Sequence, residues 1–165
     1  MSRPKPTDRA NRILEITRTF DAPREEVFRH LVDPQRIALW WGPDGFVTPV
    51  EHVAVEEKVG GVHRKTMVLE SAEIAAGMGV PVGTAFPDAA TVLEILPPEL
   101  LVLTSEPQPE MGLLERTVTR VELHAEGPDR TRVALVDGPY DEMMAPHAEA
   151  GWTQQFGKLE RLLAR

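Results

Sequence analysis

The 165-residue chain has the length of one domain, and its 42% hydrophobic content suffices for a core and is too high for a disordered chain. A net charge of −8 without any Lys/Arg cluster outside the N-terminal tail excludes a phosphate backbone and an acidic membrane surface as expected partners, so neither nucleic acid nor membrane insertion is expected. The absence of cysteine excludes disulfides and thiolate chemistry, and no apolar run approaches the ~20 residues that span a bilayer.

Residues 1–11 are polar, hold two prolines and read as a mobile tail; they lack the apolar stretch of a signal peptide, which places the expected location in the cytoplasm. Residues 12–165 then form the single expected domain. Arg12 to Phe20 alternates, with Leu14, Ile16 and Phe20 on one face, as in a strand with one buried side. Pro23, Glu25 and Glu26 mark a helix start, with Val27, Phe28 and Leu31 as its apolar stripe and Asp33-Pro34 as its end. A second short helix runs from Pro34 to about Trp40 and stops at Trp41-Gly42-Pro43.

Phe46 to about Glu57 and Val62 to Leu69 read as two strands, with Gly60-Gly61 as the hairpin signal between them. Residues 71–89 are rich in Gly and small side chains and predict an irregular loop or a brief helix. Further strands are predicted at Ala90 to Leu96, Leu100 to Ser105, Leu114 to Ala125 and Thr131 to Asp137. Trp152, Phe156, Leu159 and Leu163 repeat at spacings of four, three and four, which makes a helix of about Asp141 to Leu163 with Pro146 in its first turn or at its start. Hairpin-length connections imply an antiparallel sheet, and the amphipathic last helix must bury its stripe against that sheet.

Six landmarks stand in order: Arg18 to Phe28 (RTFDAPREEVF), Asp33-Pro34, Trp40-Trp41-Gly42-Pro43, Gly60-Gly61, Glu94 to Thr104 (EILPPELLVLT) and Gly151-Trp152. Together they resemble the bacterial proteins similar to the C-terminal domain of the heat-shock-chaperone ATPase activator, within the START-like (SRPBCC) superfamily. The resemblance covers Ile13 to Arg165. It implies an α+β helix-grip fold: a curved antiparallel sheet of six to seven strands wrapped around a long C-terminal helix, two short helices after the first strand, and a cavity between sheet and last helix. Two departures from the family pattern bear on that cavity, His63 in place of an aromatic residue and Asp137 in place of a histidine at the end of the last strand. The stretch 71–89 is longer than the family's usual hairpin and is a candidate lid.

The expected function is binding of a small hydrophobic or aromatic molecule in that cavity. The expected lining is Trp41, Phe46, His63, Met67, Glu94, Thr104, Tyr140, Trp152 and Phe156, because aromatic faces with a few polar groups suit a flat apolar ligand. Lys65 shares its strand face with His63 and Met67; a buried lysine needs a partner, for which Glu94 and Asp137 are candidates, whereas a long lysine stem more often reaches solvent. Against these readings stands plain core packing of Trp40, Trp41, Trp152 and Phe156.

No metal-ligand spacing, phosphate-binding loop or nucleophile elbow is present, so no cofactor, no metal and no catalytic residue is assigned. Two alternatives stay open. One is an enzyme of the cyclase or hydratase type that uses Glu94 or His63 for proton transfer. The other is a chaperone-associated adaptor, as the family resemblance suggests. The oligomeric state is open, with a homodimer as the default expectation.

Overall fold

The computed structural model describes residues 12–164, the side chain of Met111 excepted. The expected tail at 1–11 therefore lies outside the described residues. Strand β1 (Arg12–Phe20) is followed by helices α1 (Arg24–Val32) and α2 (Pro34–Trp40). Then come β2 (Phe46–Val47), β3 (Ala54–Val55), β4 (Val62–Leu69), α3 (Ala72–Met78) and β5 (Ala85–Leu96). Strands β6 (Leu100–Ser105), β7 (Thr117–Ala125) and β8 (Thr131–Tyr140) lead to the last helix, α4 (Ala145–Leu163). All strands pair antiparallel in the order β1-β8-β7-β6-β5-β4-β2, with β3 also on β4. This is the helix-grip architecture, and no helix among the described residues is long and apolar enough to cross a membrane.

Local chemistry explains most boundaries. Asp33 ends α1 and caps α2 through its carboxylate, which accepts from the Gln35 amide at 3.0 Å, and Pro34 starts α2 where no donor is required. The strand expected from Phe46 to about Glu57 is broken, because Pro49 starts a 3-10 turn over Val50–His52. Gly60 turns the chain at φ +82°, and a side chain on Gly61 would meet the Glu56 carbonyl oxygen at 2.5 Å, which is why this turn carries two glycines. Helix α4 begins at Ala145 with Pro146 in its first turn.

The stretch 71–89 is half helix and half strand. Ser71 caps α3 by accepting from the Ile74 amide at 3.2 Å, and β5 begins at Ala85, five residues before its expected start. Pro87 obscures that beginning in the sequence; it is tolerated because β6 pairs with β5 only from Ala90 onward.

The main core lies between the inner sheet face and α4. Ala90, Val92, Leu101, Leu103, Val121, Leu123, Val133 and Leu135 meet Phe156 and Leu159, and Phe20, Phe28 and Trp40 close the end. A smaller cluster of Phe46, Leu69 and Ala75, with Met67, Ile74, Val80 and Phe86, forms at the sheet edge beneath α3. The segment considered as a cavity lid thus packs its own edge cluster.

Candidate functional site

The inner face of the sheet changes character along its strands. Beyond the apolar core it carries a polar band across five strands: His63 and Lys65 on β4, Asp88 on β5, Ser105 on β6, Thr119 on β7 and Asp137 on β8. Strand register aligns the band, since Lys65 stands opposite Asp88 and Thr119 opposite Asp137. Two indole rings cover it, Trp41 after α2 and Trp152 in α4, packed edge to face with centroids 5.4 Å apart.

Lys65 is 1% exposed and does not reach solvent, which overturns the expectation for its stem. Its Nζ lies 2.9 Å from Asp88 Oδ2, donates to His63 Nδ1 at 3.1 Å, and stands 4.5 Å above the Trp41 ring. The partner is Asp88, and neither Glu94 nor Asp137 serves. Asp88, whose side chain is 34% exposed, also accepts from Ser105 Oγ at 3.1 Å. Burial would raise the Asp88 pKa, but the Lys65 ammonium and the hydrogen bonds from Lys65 and Ser105 outweigh it and hold the carboxyl below its usual range.

His63 uses both ring nitrogens. Nε2 donates to the Leu31 carbonyl at 2.8 Å while Nδ1 accepts from Lys65, an arrangement that only the neutral ring can make. Burial first, then the Lys65 charge, lowers its pKa to about 3.

Asp137, 1% exposed, sits at the opposite end of the band. Its Oδ1 accepts from Thr119 Oγ1 at 2.7 Å, and its Oδ2 accepts from the Tyr140 hydroxyl at 2.6 Å and from Trp152 Nε1 at 2.7 Å. Burial, then the Asp137 charge and hydrogen bond, push the Tyr140 phenol well above its ordinary pKa, so it remains a donor. A recess beside it is lined by Gly112 to Glu115 and Pro139 to Asp141.

Contacts therefore run unbroken from His63 through Lys65, Trp41, Trp152 and Asp137 to Tyr140. Four of the nine expected lining residues, Trp41, His63, Tyr140 and Trp152, belong to this chain. The other five lie elsewhere. Phe156 is 1% exposed in the main core, where it meets Phe20 edge to face at 5.6 Å and stacks on Trp40 at 6.4 Å. Phe46 and Met67 belong to the edge cluster.

Glu94 and Thr104 are on the outer face of the sheet. Strict alternation from Ala90 and Val92 would turn Glu94 inward. The register shift between Val92 and Glu94 inserts Leu93 as an extra residue and flips the phase, so Glu94 is exposed beside Arg120. Thr104 alternates with the core residues Leu101 and Leu103, pairs with Thr91 and Val118, and donates to the Thr117 carbonyl at 3.0 Å.

The residue that sequence reasoning missed is Asp88, inside a stretch whose small residues resembled a loop. Its parity with Ala90 and Val92 on an extended β5 was the available signal.

A family model described as "Activator of Hsp90 ATPase homolog 1-like protein" matches residues 21–164. Among solved structures, protein CV1439 from Chromobacterium violaceum is similar at 22% identity and a TM-score of 0.77, with 93% of this chain and 97% of that one covered. The AHSA1 (SPO3351) protein from Silicibacter pomeroyi is similar at 22% identity and a TM-score of 0.73, covering 93% and 98%. Protein NE0264 from Nitrosomonas europaea is similar at 20% identity and a TM-score of 0.72, covering 92% and 94%. At such identities these likenesses show the fold alone. No curated protein matches the chain.

Proposed function

For a chain that belongs to the Activator of Hsp90 ATPase homolog 1-like family, we propose that the indole-covered end of the grip binds a small hydrophobic or aromatic molecule. The supporting observation is the placement of charge. The Lys65–Asp88 pair and the Asp137 carboxylate are set into the inner sheet face behind two half-buried tryptophans. Apolar side chains would fill the same volume without the desolvation penalty, so stability gives no reason for these groups. An apolar wall with a few fixed polar groups is what ligand recognition requires. The binding surface is formed by Trp41, Lys65, Asp88, Asp137, Tyr140 and Trp152, and Phe156 supports it from behind.

Recognition fits these residues better than proton transfer. A general acid or base works best with a pKa near the working pH. His63 is moved down to about 3 with both nitrogens engaged, and Tyr140 is moved up. Glu94, the other candidate base, is on the outer face.

The test is native mass spectrometry of protein purified from its own host, before and after denaturation. A small molecule released on unfolding, which on re-addition changes tryptophan emission in the wild type and changes it less in both Trp152→Phe and Trp41→Phe, is expected. Bare protein whose emission is unchanged by its host's small-molecule extract would overturn the proposal.

A further inference from the structure

The polar band is unevenly matched in charge, and the imbalance indicates the class of ligand. Lys65 is neutralised by Asp88 at 2.9 Å, and His63 is held as the neutral ring by its two hydrogen bonds. That leaves Asp137, a buried carboxylate whose three partners, Thr119, Tyr140 and Trp152, are all neutral donors. Among the described residues no lysine or arginine comes within ion-pair distance of it. A carboxylate offers about four acceptor positions, so three donors leave one open.

Helix α4 carries a buried acceptor without a donor. Gln155, three residues after Trp152 and 7% exposed, has its Oε1 buried with no hydrogen-bond partner among the described residues. Gln155 Oε1 lacks a donor, and Asp137, though hydrogen-bonded through both oxygens, lacks a countercharge among the described residues. The surroundings are also those a cation favours. The Trp152 indole and the Tyr140 ring are both bonded to Asp137, Trp41 packs on Trp152, and the chain as a whole carries −8. An anionic ligand would face both Asp88 and Asp137, with Lys65, the one buried lysine among the described residues, already paired.

We infer that the ligand is an organic cation, an amine on an aromatic or apolar body, whose ammonium group is set against Asp137 between Trp152 and Tyr140. The inference rests on the binding reading above and narrows it to one chemical class. The ammonium would take the open acceptor position of Asp137 as a charge-assisted hydrogen bond, and the body would lie against the Trp41–Trp152 pair.

Three matched probes decide it: 2-phenylethylamine, 2-phenylethanol and phenylacetate, titrated into the full chain at pH 7 and followed by tryptophan emission and calorimetry. The amine is expected to bind about ten-fold or more tightly than the alcohol, and the acid weakest. Asp137→Asn, with its fold checked by circular dichroism, is expected to bring amine and alcohol within about three-fold of each other. If the alcohol or the acid binds as well as the amine, or if folded Asp137→Asn keeps the preference, the cation inference falls and the binding site stands. If none of the probes binds and the native protein carries no small molecule, both fall together.

Discussion

Lys65 and Asp88 show how unequal exposure makes the two halves of one ion pair unequal in energy. Lys65 is sealed from water, whereas a third of the Asp88 side chain is not. Asp88→Asn strands a buried ammonium and should destabilise the fold by on the order of 3–5 kcal/mol in urea unfolding. Lys65→Met leaves a carboxylate that can turn toward solvent and should cost roughly half of that or less. Equal losses would show that Asp88 is as trapped as its partner. His63 adds a pH dependence of fixed sign. Its folded pKa, about 3, lies below the ordinary 6.5, so between those values the unfolded chain binds a proton that the native ring refuses. Stability is therefore full above about pH 6.5 and declines as pH falls through that window, by up to about 1.4 kcal/mol per pH unit. The lowered Asp88 acts in the same direction but only in stronger acid, below its ordinary 3.8. His63→Gln can keep both hydrogen bonds without titrating, so its melting temperatures at pH 7.5 and 5.0 should lie closer together than those of the wild type. Parallel shifts in the two proteins would remove His63 as the cause. None of this was legible from Lys65 alone, because a lysine's fate depends on what stands opposite it, and Asp88 was hidden in a stretch rich in glycine, proline and alanine.

At the scale of elements, periodicity carried far and register did not. The Trp152–Phe156–Leu159 spacing located α4 and its buried face, and the alternation of β1 located its strand, because both patterns are local. Glu94 and Thr104 went to the wrong face because a bulge and a pairing register are set by the neighbouring strand, which a single segment does not encode. Helix α4 also fastens the segment that carries Trp41. Lys158 Nζ donates to the carbonyls of Gly42, Pro43 and Phe46 at 2.7, 3.2 and 3.2 Å, and Gln154 Oε1 accepts from the Asp44 amide at 3.0 Å. Lys158→Met is expected to lose about 2 kcal/mol and to shift the tryptophan emission, since charge-assisted bonds are the stronger kind and Trp41 is next to Gly42. Unchanged emission would mean that the segment holds itself. Phe156→Ala should cost about 3–5 kcal/mol because it opens a hole between Phe20, Trp40 and Trp152. A loss below about 1 kcal/mol in chemical denaturation would instead place Phe156 beside a void.

The whole molecule divides into parts of unequal cohesion. The main core joins α4 to strands β5 through β8 and to the first two helices through many fully buried side chains. The edge unit has only three buried hydrophobic residues, and its other members are half covered. Its attachment is also slight. Strand β2 pairs with β4 over two residues, and α3 is held by Ile74 pressed over Gly45 and by the Gly45 carbonyl, which accepts the amides of Glu70 and Ser71 at 2.9 and 3.1 Å. Local opening follows the least buried apolar area, so this unit should open without global unfolding. Hydrogen exchange is the direct measure. The amides of Ala75 and Leu69, which bond to Ser71 and Thr84, are expected to exchange on the order of 100-fold faster than those of the β7–β8 ladder. The same opening would free Met67, two residues from Lys65 on the same face of β4, and so give access to the polar band from the sheet edge. Uniform protection across both regions would mean that the edge cluster and the main core unfold as one body, and that entry to the band must lie at the recess beside Tyr140.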